Sequence, residues 1–206
     1  MSEPRLSGRI AAVTGGGRGL GRAIARALAA EGADIALSYN ASRIEAERET
    51  RALREAGRQA VAVPADARVP GEMAAFIEEA VEQLGGLDIL INNCGVFRRA
   101  PIDELSEETL DEAFDVNVKA AVMATQAAAP YLRQRGGGVV VNIASLGGLR
   151  AWPSHVAYCT SKSRERTARE DVCRGSPSRG TPCGFNQACV RKPVENPSDL
   201  GRGPLG

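Results

Sequence analysis

Two stretches of this chain carry residue types at spacings that can do chemistry. The run Thr14-Gly15-Gly16-Gly17-Arg18-Gly19-Leu20-Gly21 stands between an apolar segment, Ile10 to Val13, and an amphipathic one that begins at Gly19. Glycines there let the backbone turn sharply and come close to a ligand, while a helix start presents unpaired N–H groups and the positive end of its dipole. That combination suits a pyrophosphate. A triphosphate loop would need Gly-Lys-Ser/Thr, whereas this helix opens Gly21-Arg22-Ala23, so a nucleoside triphosphate is not expected. The plainer alternative is a glycine-rich turn with no ligand. The second stretch holds Tyr158 and Lys162, which at i and i+4 share one helix face. A reacting oxygen that gathers negative charge needs a proton. A phenol, with an ordinary pKa of about 10, is a weak donor unless a neighbouring cation steadies the phenolate. A tyrosine and a lysine four apart also meet by chance on exposed helix faces.

These groups need a scaffold, and hydrophobic periodicity supplies one up to about residue 160. Short β-rich runs alternate with longer amphipathic ones, the pattern of βαβ units around a parallel sheet. Strands are predicted at 10–13, 35–39, 60–63, 87–91 and 139–143. Helices are predicted at 19–30, ended by Gly32, at 42–56 from a Ser42 cap, at 73–84, and at 106–128 from Ser106 with Glu108 and Asp111 near its positive end. The expected fold is α/β, one doubly wound parallel sheet of Rossmann type between helical layers, with its ligand beyond the strands' carboxyl ends.

Composition narrows the partners. A net charge of +1 over 206 residues provides no global field to draw in nucleic acid or an anionic membrane. No apolar run is long enough to span a bilayer, and MSEPRLSGRI lacks the zones of a secretory signal, which makes the cytosol the expected location. Five cysteines without metal-type spacing are expected as free thiols, with no metal site.

With its strand-to-helix context, the loop has the TGxxxGxG spacing of the short-chain dehydrogenase/reductase family, which the chain resembles over residues 1–162. Thr14, Gly15, Gly19 and Gly21 match that motif, with Arg18 and Leu20 inside it. Asp66, followed by Ala67, resembles the family acid that contacts adenine. Asn92-Asn93-Cys94-Gly95 resembles the family's NNAG, which lines the coenzyme, with Cys94 in place of alanine. Tyr158 and Lys162 match YxxxK, Ser145 the serine that hydrogen-bonds the carbonyl oxygen, and Asn117 the asparagine that holds a proton-relay water. The resemblance implies hydride transfer between NAD(P)(H) and a ketone or alcohol, on a 3-oxoacyl or other small carbonyl substrate. It also implies that Lys162 holds the nicotinamide ribose and that the family's homo-oligomer forms. Cys94 is read as a structural residue.

In sites that prefer NAD an acid about 20 residues past the glycines takes the ribose hydroxyls. Here the second strand ends Ser38-Tyr39-Asn40, and Arg18, Ser42 and Arg43 can surround a 2′-phosphate, which favours NADP(H) over NAD(H). The arginines read equally as solvated charges. His155 is expected as a loop residue near the pocket, Trp152 as pocket wall or packing, and Arg98 and Arg99 as pocket border or solvated pair.

Past Lys162 the apolar periodicity fails and Gly, Pro and Arg rise. Residues 163–206 are therefore expected as an aberrant, out-of-frame or poorly ordered tail without strands, leaving the sheet truncated after its fifth strand. The competing functional reading is a catalytically impaired dinucleotide-binding fragment.

Overall fold

In a computed structural model, residues 4–164 and 187–190 are described. Apolar β-formers make the strands β1 (Ile10–Val13), β2 (Asp34–Tyr39), β3 (Ala60–Pro64), β4 (Ile89–Asn92) and β5 (Gly138–Asn142). The helices are α1 (Gly19–Ala30), α2 (Arg43–Glu55), α3 (Glu72–Leu84), α4 (Glu107–Phe114), α5 (Ala120–Gln134) and α6 (Val156–Arg164). The sheet order is β3-β2-β1-β4-β5 with all five strands parallel, followed by β6 (Gln187–Val190) antiparallel to β5. β1 thus pairs with β2 on one side and β4 on the other, which makes the gap beyond their carboxyl ends the switch point of a doubly wound sheet.

Alternation along each strand divides the core into two layers. Ile10 and Ala12 of β1 face a cluster with Phe76 and Ile77 of α3 and Ala120, Ala124, Ala128 and Leu132 of α5. Ala11 and Val13 face the other way, toward Ala25 and Ala29 of α1, Leu53 of α2, and Ile35 and Leu37 of β2. Burying each of the large side chains contributes about 1.5–3 kcal/mol. The four-residue spacing of small side chains on α5 lets that helix lie close against the sheet and α3.

Several expectations shift. The helix foreseen at 106–128 is interrupted by a π turn, Asp115–Lys119, and then runs through Pro130 to Gln134. Pro130 is exposed, so its missing N–H falls on the solvent side while Leu132 still packs inward. Ser106 caps α4 as expected, accepting from the Thr109 amide at 3.3 Å. Ser42 precedes α2 without a side-chain capping bond. The parallel series ends at β5, yet Gln187–Val190 pairs with it, Val139 opposite Cys189, where no strand is expected. Four residues are too few for periodicity to register, and the β5 edge supplies their backbone partners. α6 carries two residues past Lys162; the rest of the foreseen tail, 165–186 and 191–206, lies outside the described residues.

At the end of the sheet opposite the switch point, the buried carboxylate of Asp88 gathers the amino edge. It accepts from Arg9 Nη1 at 2.7 Å, the Ile10 amide at 3.0 Å and Arg135 Nη2 at 3.0 Å. Burial pushes this acid up, but the hydrogen bonds from Arg135, Arg9 and Ile10 outweigh it and hold Asp88 below the usual carboxylate range. A folded-state pKa below the unfolded one contributes stability that is complete above the unfolded value of about 3.9 and is lost as pH falls through the folded value. Both guanidiniums are more than a third exposed, so most of the Coulombic part is screened. Asp88→Asn should therefore cost about 1.5–3 kcal/mol at neutral pH in urea unfolding. The gap to wild type should close as pH drops below about 4; a gap independent of pH would show that the charge contributes nothing.

Candidate coenzyme cleft and active site

The glycine loop leaves β1 pinned from both neighbouring strands. Gly15 N donates to Ser38 Oγ at 3.0 Å and Gly16 N to the Ser38 carbonyl at 3.1 Å, both from β2. From the β4 side, Asn93 Nδ2 donates to the carbonyls of Thr14 (2.9 Å) and Gly15 (3.3 Å). The Thr14 hydroxyl accepts from two consecutive amides, Asn93 N and Cys94 N, each at 2.9 Å. Gly15 has φ +64°, and a Cβ on Gly21 would lie 2.6 Å from Asn93 Nδ2 and overlap the Gly15 carbonyl, so both positions require glycine.

A cleft of about 420 Å³ opens above this loop, within the range of cofactor sites. It brings together most of the expected binding residues: Gly15, Arg18, Gly19, Leu20 and Gly21 from the loop, Asp66 and Ala67 after β3, and Asn93, Cys94 and Gly95 after β4. Thr14 is not part of the lining, since its hydroxyl is spent on the Asn93 and Cys94 amides. Tyr39, Asn40 and Ser42 line the cleft too. Arg43 does not; its guanidinium pairs with Glu47 one helical turn on, at 2.7 Å. The described donor set fits a dinucleotide: a glycine cradle in which Gly16 and Gly21 have no room for a side chain, a helix N-terminus, and Arg18 at the N-cap of α1.

Two ion pairs in the lining are not foreseen. Arg68 grips Asp66 with its Nε and Nη2, and these hydrogen bonds hold the Asp66 carboxyl below its usual range. Arg98 does the same to Glu112, Nε to Oε2 at 2.8 Å, with the same downward effect. Arg68 stands two residues past the expected acid, a spacing that could have drawn notice; Arg98 and Glu112 are joined only by the fold. Burial pushes the Cys94 thiol up against opposing hydrogen bonds from Thr14 and Ser38, which keeps it a protonated, structural thiol near neutral pH.

The four expected catalytic residues gather beyond Gly95. Asn117 sits fully buried in the π turn; its Oδ1 accepts from Val96 N at 2.8 Å, and its Nδ2 donates to the Val96 carbonyl (3.1 Å) and Ser161 Oγ (2.9 Å). Ser145 precedes a short 3₁₀ turn, Leu146–Gly148, and accepts from Gly147 N at 3.1 Å. The Tyr158 ring lies against Gly147, where an added Cβ would come within 3.0 Å of its Cε1. Lys162 is 5% exposed; its Nζ donates to the Ile143 carbonyl at 2.9 Å and lies 3.7 Å from the point a Gly95 Cβ would occupy. α6 therefore brings its cation to the end of the cleft. Phe97 and Trp152 contact the Tyr158 ring, and His155 stacks on Phe97; Trp152 and His155 are expected at or near the pocket, whereas Phe97, far away in sequence, is not.

Among the described residues no group of acidic, histidine or cysteine side chains could hold a metal ion, and no helix is long and apolar enough to cross a membrane. Residues 9–166 match the family model described as short chain dehydrogenase. An uncharacterized oxidoreductase of Methylorubrum extorquens is 40% identical over 158 residues, covering 77% of this chain and 63% of that protein. A hydroxynaphthalene reductase of Aspergillus fumigatus is 37% identical over 158 residues, 77% of this chain and 57% of its own. The chain thus spans about three-fifths of the length of these relatives. A short chain dehydrogenase from Burkholderia cenocepacia, solved in complex with NADP, superposes with a TM-score of 0.79 at 37% identity, covering 82% of this chain and 69% of that one.

Thr14→Val keeps the side-chain shape and removes the acceptor for two amides. It should destabilise the protein by about 2–4 kcal/mol, one unsatisfied group apiece, and weaken coenzyme binding. Chemical unfolding with a parallel coenzyme titration measures both, and a wild-type midpoint would mean that the loop is held by other bonds.

Proposed function

Because the chain belongs to the short-chain dehydrogenase/reductase family, we propose that it is an NADP(H)-linked oxidoreductase that interconverts a small-molecule ketone and its alcohol. The observation that carries this reading is the meeting of cleft and helix at Gly95: a cradle suited to a dinucleotide ends where the buried Lys162 ammonium and the Tyr158 helix begin.

In this reading Gly15, Gly19, Leu20 and Gly21 receive the pyrophosphate at the α1 N-terminus, Asp66 and Ala67 receive the adenine, and Asn93, Cys94 and Gly95 border the nicotinamide half. Arg18 takes the 2′-phosphate, helped by Asn40 and Ser42, since no acid stands at the end of β2 to claim the ribose hydroxyls or repel a phosphate. Bound coenzyme supplies a hydride to the carbonyl carbon. As the C=O π bond breaks, its electron pair passes to oxygen, which takes the Tyr158 hydroxyl proton and leaves a phenolate that solvent reprotonates. Lys162 holds positive charge beside this exchange and reaches the ribose. Ser145 accepts the Gly147 amide, a bond that leaves its own proton for the carbonyl oxygen. Asn117 acts by position: both amide protons are committed to Val96 and Ser161, so it ties the loop after β4 to α6. Free thiols at Cys94 and Cys159 fit a reducing compartment, the cytosol.

Tyr158→Phe removes only the proton donor. NADPH-dependent turnover on a ketone panel should fall about 10²–10⁴-fold while coenzyme affinity stays near wild type; a near-normal rate would place the donor elsewhere. Arg18→Ala should weaken NADPH about tenfold or more and leave NADH almost unchanged. Equal affinity of the wild type for the two coenzymes, measured by fluorescence titration, would overturn the assignment.

A further inference from the structure

The chain has one tryptophan, one histidine, four phenylalanines and three tyrosines, and four of these nine rings converge at the catalytic end of α6. Phe97, two residues past Gly95, meets Tyr158 edge to face at 4.7 Å and stacks on His155 at 4.5 Å. Trp152 lies nearly parallel to Tyr158, 6.2 Å away, and nearly perpendicular to Phe97, at 77° and 6.4 Å. The two contributing segments are joined by backbone, with Ala100 N donating to the Ser154 carbonyl at 2.8 Å and a bridge from Ala100 to His155. Ser154 holds φ +61°, alone among the described non-glycine residues in the left-handed region. Strain of that kind persists where surrounding contacts over-determine it, and here it sets the turn that carries Trp152 and His155.

The cluster is not closed. Phe97 is 56% exposed although it touches three other rings, and Leu146 and Leu149, which flank the turn after Ser145, are 67% and 51% exposed. Open apolar surface beside a proton donor is a binding surface for the organic part of a substrate. An alkyl chain laid there would gain dispersion alone. A flat ring can stack on one of the two perpendicular ring walls and offer its positive edge to the other, gaining the quadrupole contribution as well.

We propose that the substrate side of this site selects carbonyl compounds whose carbonyl is fused or conjugated to an aromatic ring, held by Phe97 and Trp152 beside Tyr158. This rests on the reductase reading above and names its substrate class.

The full chain, saturated with NADPH, is given 1-tetralone and 2-decanone, ketones of equal carbon number. The kcat/KM for 1-tetralone should exceed that for 2-decanone at least about tenfold. Phe97→Leu and Trp152→Leu should each shrink the ratio by roughly 2- to 13-fold, mainly through KM for the aryl ketone. Trp152 is the one tryptophan in the chain, so quenching of its fluorescence reports binding without turnover. If neither ketone is reduced but 1-tetralone quenches Trp152, and does so more weakly in Phe97→Leu, the ring site stands and the hydride-transfer reading fails. If 2-decanone is reduced as well as 1-tetralone, or the ratio survives Phe97→Leu, the ring site is overturned and the reductase reading stands. Absence of both turnover and quenching overturns the ring site as well.

Discussion

The acceptance of two consecutive amides by the Thr14 hydroxyl is the interaction on which the rest of the site depends. It joins the carboxyl ends of β1 and β4, the two strands at the switch point, and so sets where the glycine loop stands relative to the segment after β4. From there the connection continues through hydrogen bonds alone. Val96 exchanges two bonds with the Asn117 side chain, whose remaining amide proton goes to Ser161, three residues from Tyr158 and next to Lys162. The glycine loop and the helix that carries Tyr158 and Lys162 are thereby held in one frame.

The cleft is also arranged electrostatically. Asp66 and Glu112 each carry their own arginine, so both acids remain ionised and neither presents bare negative charge to an incoming phosphate. Arg18, at the head of α1, adds to the helix dipole in the direction that favours an anion. Arg68 engages both oxygens of Asp66, so any donor that reaches this carboxylate from the cleft competes with the guanidinium for them.

Much of this was legible in the residues because the constraints are local. A glycine loop must stand between strand and helix, and a phenol and an ammonium must sit four apart to share a helix face; both are short-range spacings. The strands were legible because they are short, apolar and β-branched. What escaped depends on the fold. Phe97 meets Trp152 and His155, themselves expected near the pocket, only when β4 and β5 pair and α6 packs back, and β6 is a four-residue segment that needs the β5 edge to exist as a strand. Arg43 takes the plainer of its two readings, an exposed charge paired with Glu47 one turn along and outside the cleft lining. The π turn had no sequence signal, since Val116 and Asn117 keep an ordinary helical spacing to Ala113 and Ala120.

That turn bears on how the protein can change. A π turn amounts to an α-helix carrying one surplus residue, and each residue advances an α-helix by about 100°. The wider turn absorbs that residue, so deleting one residue between Asp115 and Lys119 would leave an unbroken α-helix with α4 and the Ala120, Ala124 and Ala128 face still in phase, and the change would fall on the turn that carries Asn117. The wide turn is therefore a local accommodation, and what it serves is the placement of Asn117. Its loss would leave the two helical flanks as they are and break the link that Asn117 makes from Val96 to Ser161.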